Sequence, residues 1–311
     1  MIGSERKAGA CGLAVAALVA AMLLPLGAAA QQSYASPQLA VDALIAAERS
    51  NDQATILDIL GKDAGPLIYS GDPVADEDNR HAFLAHFDEA HRIDAEGDAS
   101  AALVIGKDDW SLPIPLLKQG EVWRFDTDAG LQKILDRRIG RNELSVIQSC
   151  RAYVEAQRDY AALKPAGDGI TEYAGKFISS EGRHDGLYWP AAAGAAQSPL
   201  GPLYAAARAE GYGNGAESGK PHPYHGYYFK ILTRQGSHAP GGAKDYVVKG
   251  RLTRGFALLA YPATWGDSGI MTFEVNQSGI VFEKNLGPHT ARLASRIRAF
   301  DPDLSWTPEK E

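Results

Sequence analysis

The sequence predicts an α+β fold in which N-terminal helices pack on a curved sheet and a later long helix packs on an antiparallel sheet. Apolar residues recur at helical spacing over residues 36–60 and again, over a longer stretch, from about residue 128 to 162. Strand-like segments follow each helical region, three between residues 101 and 125 and five between residues 227 and 284. Consecutive helices followed by consecutive strands are typical of the α+β class.

The first 30 residues have the pattern of a secretory signal peptide. Arg6 and Lys7 precede an apolar run from Leu13 to Leu26, and Ala28-Ala29-Ala30 forms an A-x-A cleavage motif before Gln31. The run is about 14 residues long, shorter than the roughly 20 that span a bilayer. We therefore expect cleavage after Ala30 and a periplasmic or secreted protein with no membrane span after signal removal.

Length, charge and cysteine use limit the rest of the chain. It has 311 residues and a formal net charge of −7, so we expect an N-terminal domain over residues 31–127 and a C-terminal domain over residues 128–311. An acidic chain has no electrostatic reason to bind nucleic acid. Cys11 lies in the predicted signal peptide, so Cys150 has no internal disulfide partner. We expect Cys150 to be a buried structural thiol.

The N-terminal domain opens with capped helices. Ser36 is the expected N-cap of a first helix, with Pro37 at its first position, and a second helix runs from Asp52 to Leu60 and stops at Gly61. A third helix is predicted from Asp76 to His91. Strands are predicted at residues 101–106, 112–117 and 121–125. Pro113 and Pro115 place the middle strand at an edge or bulge, and Lys118-Gln119-Gly120 is a hairpin turn.

The C-terminal domain opens with the long helix. Gly130 and Gly140 are expected to divide it, because glycine weakens a helix interior. A short helix over residues 203–210 and a closing helix over residues 288–299 are also predicted. Ser278-Gly279 is the expected turn of a tight hairpin. The five strands are predicted at residues 227–233, 245–249, 255–261, 269–276 and 279–284.

Several segments of the sequence resemble those of a family of exported bacterial proteins. The strings RRIGRNELSVIQSCRAYVEAQRDYA, DGLYWP, YHGYYFKILT and GFALLAYPATWGDSGIMTFEVNQSGIVFEKNLG resemble domain of unknown function number 2950. The resemblance covers essentially all of the chain after the predicted cleavage site. It implies a family and no activity.

The C-terminal domain also resembles the globular part of type IV pilins and pseudopilins. Residues 142–160, GYYFKI and the hairpin TFEVNQSGIV carry this resemblance, which implies an amphipathic helix leading into a small antiparallel sheet. Pilins carry a continuous apolar helix ahead of this helix, whereas Arg137-Arg138-Ile139-Gly140-Arg141 stands there in this chain. The resemblance therefore implies a fold and not filament assembly.

The N-terminal domain is similar to the cone-shaped fold of nuclear transport factor two. The strings SPQLAVDALIAAERSNDQATILDILG and EVWRFD carry the similarity, which implies helices packed into a curved sheet.

Candidate functional residues lie in the loop-rich middle of the chain, where binding residues are often found. If the fold brings them together, His184, Asp185 and His225 would supply two imidazoles and a carboxylate for acid–base catalysis. The candidate binding residues around them are Tyr188, Trp189, His222 and Tyr224. The alternative is structural, with aromatic rings that hold long loops on the sheet.

Metal sites are weakly indicated. His81, His86 and His91 are spaced by five, which does not place them on one helix face. Asp168 and Glu172 resemble a fragment of a calcium loop, and some pseudopilins carry calcium in a loop. Calcium is thus the one cofactor that the sequence suggests.

No catalytic motif of a hydrolase or nucleotide-binding enzyme is present in the sequence, which has neither a G-x-S-x-G elbow nor a phosphate-binding loop. The sequence favours an exported protein that is a non-catalytic binding or assembly component of the cell envelope. Its partner would be an envelope protein or a small ligand. The alternative is a periplasmic hydrolase or lyase that uses His184, Asp185 and His225.

Overall fold

A helical region precedes each of two five-stranded antiparallel sheets, and the fold is α+β as predicted. The computed structural model of the protein describes residues 31–163, 169–191, 197–212 and 222–309. The predicted signal peptide lies outside these residues. Residues 31–311 cluster as one compact unit, within which the two sheets have separate hydrophobic cores.

The first helix begins at the predicted residue, and the second has close to its predicted bounds and ends at Leu60. Helix α1 spans Pro37–Ser50 and α2 spans Gln53–Leu60. Ser36 Oγ accepts a hydrogen bond from the Leu39 amide at 3.3 Å, and Asp52 accepts one from the Thr55 amide at 3.1 Å. Such caps each stabilise a helix by about 1 kcal/mol. A 3-10 turn at Lys62–Ala64 and the short helix α3 at Gly65–Ile68 follow.

Helix α4 spans Pro73–Glu89, and the prediction that it extends to His91 is wrong. Ala90 has an extended backbone, and His91 opens strand β1, His91–Ala95, where it pairs with Ile105. The His91 ring stacks on Phe87 with ring centroids 3.8 Å apart. Strand pairing therefore ends a helix that the local sequence would continue.

The first sheet contains β1, β2 (Ser100–Ile105), β3 (Trp110–Ser111), β4 (Leu116–Gln119) and β5 (Val122–Phe125). Its order is β1-β2-β4-β5, with β3 also paired to β2. Pro113 and Pro115 lie between β3 and β4, where no ladder hydrogen bond needs their missing N–H. The hairpin between β4 and β5 turns at Gly120, which has a φ of 65°, whereas Lys118 and Gln119 of the predicted turn belong to β4. The core between this sheet and the helices includes Ala40, Val41, Leu44, Ile56, Ile59, Leu103, Ile105, Ile114, Leu116 and Phe125.

Helix α5 is continuous from Thr127 to Leu163, so the prediction that glycines divide it is wrong. Gly130 is buried, and a Cβ there would lie 2.4 Å from the Pro113 carbonyl oxygen. Close packing against the backbone thus explains this glycine. Gly140 has nothing within 4 Å of an added Cβ. Each glycine destabilises the helix by about 1 kcal/mol relative to alanine, and the tertiary contacts of α5 on both sides of these positions outweigh this loss.

The second sheet packs one face on the C-terminal part of α5. It has the order β14-β13-β12-β11-β6, and its predicted hairpin is confirmed by the pairing of β12 with β13, where Val275 faces Val281. Cys150 and Tyr153 of α5 are buried in the second core together with Phe273 and Val275 of β12. The five strands are β6 (Tyr227–Leu232), β11 (Ala257–Pro262), β12 (Met271–Asn276), β13 (Val281–Asn285) and β14 (Thr307–Pro308).

Short elements surround this sheet. Helix α6 spans Gly201–Ala209, close to its predicted range, but the predicted closing helix is reduced to α7, Thr290–Ala294. Turns follow α7 at residues 295–296, and Phe300 then exchanges backbone hydrogen bonds with Arg234 and Gly236. The remaining strands are β7 (Arg234–Gln235), β8 (Lys244–Asp245), β9 (Val247–Val248) and β10 (Arg251–Leu252).

Cys150 is fully buried, as predicted. Burial raises the pKa of its thiol to about 12. Among the described helices, none has a stretch long and apolar enough to cross a membrane.

Glu274 is a buried carboxyl on the other face of the second sheet. Its side chain is 1% exposed, and Oε1 has no hydrogen-bond partner in the part of the chain that the structure describes. Burial raises its pKa to about 8, with the carboxylates of Asp301 and Asp303 adding to the rise and Lys284 opposing it. The carboxyl is therefore protonated in the folded protein near neutral pH.

The two glycines of α5 should respond oppositely to one methyl group. Gly130→Ala should lower the free energy of unfolding by about 1–3 kcal/mol, because the Cβ overlaps the Pro113 backbone. Gly140→Ala should raise it by about 0.5–1 kcal/mol, since alanine is the better helix former. Urea unfolding midpoints of the two variants give the comparison. Equal shifts would contradict this account of the helix.

Stability should fall as pH rises from 5 to 8, because the folded state holds the Glu274 proton above the ordinary pKa of 4.5. The expected slope is about 1 kcal/mol per pH unit, lost in Glu274→Gln. Urea unfolding at several pH values measures it. The control is Glu121→Gln, which replaces an exposed glutamate and should keep the wild-type slope. An unchanged slope in Glu274→Gln would show that another group carries the dependence.

Candidate functional site

A cavity of about 1250 Å³ opens in the N-terminal half of the protein. It lies between helices α1, α4 and α5 and the strand region from residue 105 to 114. Ligand pockets in proteins commonly measure about 300–1,000 Å³. This cavity could therefore hold a small molecule of substantial size.

Each helix contributes one face to the cavity wall. Positions three, four or seven residues apart lie on the same side of a helix. Leu44 and Glu48 contribute from α1, while Asp76, Arg80 and Phe83 contribute from α4. From α5 the lining residues are Lys133, Ile134, Arg137, Arg138 and Arg141.

The cavity has an apolar floor supplied by the first hydrophobic core. Its residues come from the helices and from the strand region, and several of them are buried. Trp110 adds a partly exposed aromatic ring at the edge of the sheet. The apolar residues of the floor are Leu44, Ile56, Leu60, Ile68, Phe83, Ile105, Leu112, Ile114 and Ile134.

Two of the cavity's cations are held by backbone carbonyl groups. Arg138 is buried and donates hydrogen bonds to the carbonyl oxygens of Pro66 and Leu67. Burial lowers its pKa, which the nearby Asp76 carboxylate partly offsets. Arg80 donates to the Glu48 carbonyl oxygen at 3.3 Å. These two side chains therefore connect neighbouring helices of the cavity wall and have a structural role.

The other three cations have no such restraint. Lys133, Arg137 and Arg141 are exposed and, within the described ranges, take part in no hydrogen bond or ion pair. They stand four residues apart on α5, so they form one stripe along the cavity wall. This stripe can receive an anionic group.

The cavity's carboxyl groups are mostly engaged. Burial raises the pKa of Glu48 and of Asp76, and Asp76 accepts a hydrogen bond from the Ser70 amide at 3.1 Å. Glu77 lies 3.9 Å from Arg80, and Asp109 is paired with Arg92.

The predicted residues His184 and Asp185 lie in a separate cluster. The His184 ring stacks on Trp189 with centroids 4.2 Å apart, and Tyr188 stacks on Tyr204 at 3.7 Å. Asp185 accepts a hydrogen bond from Lys176 at 2.7 Å, which holds its pKa well below the ordinary range. These contacts match the structural alternative, in which rings and polar groups hold the loop.

His225 lies in a second cluster. Its Nε2 is 3.2 Å from Glu210, its ring lies 4.2 Å from that of Tyr224, and its backbone has a φ of 48°. Such a φ is uncommon for a residue with a side chain. Burial raises the pKa of Tyr224 to about 12. His222, the remaining candidate, is exposed.

Asp72 links this second cluster to helix α4. Its buried carboxylate caps α4 and accepts hydrogen bonds from the Tyr212 hydroxyl at 2.9 Å and the Gly226 amide at 2.7 Å. One side chain thus fastens the start of α4 to the loop before β6. The predicted start of this helix at Asp76 is three residues too late, because Asp72 is its N-cap and Pro73 its first residue. Nothing local in the sequence indicates the distant partners of Asp72.

No hydrogen bond, ion pair or ring contact of the described residues joins His184 or Asp185 to His225. A shared catalytic site therefore stays a prediction. Glu172 accepts a hydrogen bond from Arg251 at 2.9 Å, and Asp168 lies outside the described residues. Those residues contain no group of three metal-ligating side chains.

The sequence analysis did not predict the cavity. The signal available was the spacing of Lys133, Arg137 and Arg141, with Ile134 between them on the same helix face. The floor residues are distributed over residues 44–134 and show no motif. Only the packing of the helices on the sheet brings them together.

A family whose description reads "Protein of unknown function (DUF2950)" matches residues 31–308. The chain belongs to this family. The family resemblance predicted from the sequence strings is thus confirmed. No curated protein and no solved structure matches the chain, so the resemblances to pilins and to nuclear transport factor two stay predictions.

Proposed function

We propose that the protein is an exported, non-catalytic binding component of the cell envelope, with its ligand site in the cavity between α1, α4, α5 and the first sheet. The observation that carries the proposal is the cavity of about 1250 Å³ with an apolar floor. Large apolar pockets with a few polar groups at the wall are the common form of small-molecule sites.

Two observations support export as part of the proposal. Residues 1–30 have the three regions of a signal peptide. The family match begins at residue 31, the first residue after the predicted cleavage motif.

The alternative function is a periplasmic hydrolase or lyase that uses His184, Asp185 and His225. Acid–base catalysis needs its groups within hydrogen-bond reach of one substrate. Because no described contact joins these three side chains, ligand binding in the cavity is the function we put forward.

A neutral apolar dye should bind in the cavity. N-phenyl-1-naphthylamine, added to protein expressed from the full chain, should show saturable fluorescence enhancement at one site per molecule. Asn79→Trp places a bulky ring at an exposed lining position of α4. This variant should weaken dye binding about tenfold, the effect of losing roughly 1.4 kcal/mol of contact.

The matched control for this dye experiment is Asp78→Trp, since Asp78 is the exposed neighbour of Asn79 and does not line the cavity. It should bind the dye as the wild type does. Absence of dye binding, or equal binding by the Asn79→Trp variant, would refute the cavity as the ligand site.

Export is tested by the N-terminus of the protein made in a bacterial host. Cleavage after Ala30 should leave Gln31 as the first residue, which mass spectrometry of the N-terminal peptide identifies. A protein that retains residues 1–30 would refute the signal peptide.

A further inference from the structure

Three cations on one wall of the cavity have no neutralising partner among the described residues. Lys133, Arg137 and Arg141 lie four residues apart on α5, about 6 Å between neighbours along the helix axis. Like charges at this spacing destabilise a helix. The arrangement is therefore unfavourable in the free protein and becomes favourable when an anion lies beside it.

The acidic groups of the cavity do not neutralise the positive charge of this stripe. Glu77 is near Arg80 and Asp109 is paired with Arg92, while Arg138 and Arg80 face Asp76 and Glu48 respectively. Among the lining carboxylates of the described residues, Glu48 and Asp108 have neither a hydrogen bond nor an ion pair, and Glu48 is under the electrostatic influence of Arg80. The described lining thus has three cations and two carboxyl groups without an ion pair, and of these two carboxyl groups only Asp108 has no cation acting on it.

We propose that the ligand of this cavity is an amphipathic oxyanion, a molecule with an apolar body and one carboxylate or phosphate group. The inference rests on the proposed function and names the chemical class of its ligand. The apolar body lies on the floor formed by residues such as Phe83 and Ile134. The anionic group lies against Arg137 and Arg141, because planar guanidinium groups bind carboxylate and phosphate oxygens through paired hydrogen bonds.

Displacement of N-phenyl-1-naphthylamine tests the inference with ligands of equal chain length and different charge. Decanoate and decyl phosphate, below micelle-forming concentrations, should displace the dye at concentrations about tenfold lower than decyltrimethylammonium does. Higher salt should reduce this preference, since the stripe is exposed to solvent. The relative potency of decanoate and decyl phosphate tells which head group the site favours, and either order supports the class.

Variants of the stripe identify the residues responsible. Arg137→Gln with Arg141→Gln should remove most of the tenfold preference for the anions, measured as the ratio of anion to decyltrimethylammonium potency within the same variant, so that any change in dye affinity cancels. Arg137→Lys with Arg141→Lys keeps the charge and should retain part of the preference. The matched control is Arg151→Gln, since Arg151 is an exposed arginine of the same helix outside the cavity; it should behave as the wild type.

The outcomes separate this inference from the proposed function. If the dye binds but decanoate, decyl phosphate and decyltrimethylammonium displace it equally, the inference is overturned and the cavity stays a neutral ligand site. The same holds if the glutamine variant keeps the full preference. If the dye does not bind at all, the proposed function fails, and the inference fails with it.

Discussion

The continuity of helix α5 is the constraint on which most of the structure depends. Its 37 residues form one hydrogen-bonded rod roughly 55 Å long. Near its start, Arg138 binds the carbonyl groups that end α3. Near its end, Gln157 exchanges two hydrogen bonds of 2.8 Å with the backbone of Ala174. Because one rigid element serves both cores, a change in its direction would disturb both halves at once.

The same helix also fixes the charges of the candidate site. Lys133, Arg137 and Arg141 are carried by a helix whose two ends are held by packing, so their spacing does not depend on a loop. The apolar floor belongs to the first hydrophobic core. The helices and strands that line the site are held in place by the hydrophobic core. This favours a cavity that exists before the ligand binds.

Local signals in the sequence predict much of the fold. Ser36 and Asp52 mark helix starts, and Ser278-Gly279 marks a hairpin, because capping and turn formation involve only neighbouring residues. His91 was misplaced because strand pairing with Ile105 decides its conformation. The role of Gly130 is not predictable from neighbouring residues, because the contact that requires a glycine there is with the backbone of Pro113, which is distant in sequence.

The candidate site was harder to predict for the same reason. The residue types in the loops suggest a chemical site, since aromatic residues and histidines are common in binding sites. In the structure, however, the rings of His184 and Tyr188 stack on neighbouring aromatic rings. The cavity is formed by ordinary apolar residues from separate elements. The size and position of the cavity depend on how separate helices and strands pack together, which no single segment of the sequence determines.

The burial of Cys150 has a consequence for the reactivity of its thiol. A thiol with a pKa of about 12 is almost entirely protonated at neutral pH, and thiolate is the form that attacks disulfides and oxidants. Its position in the second core also denies access to other thiols. Once the protein is folded, the Cys150 thiol is therefore protected from disulfide exchange and from oxidation.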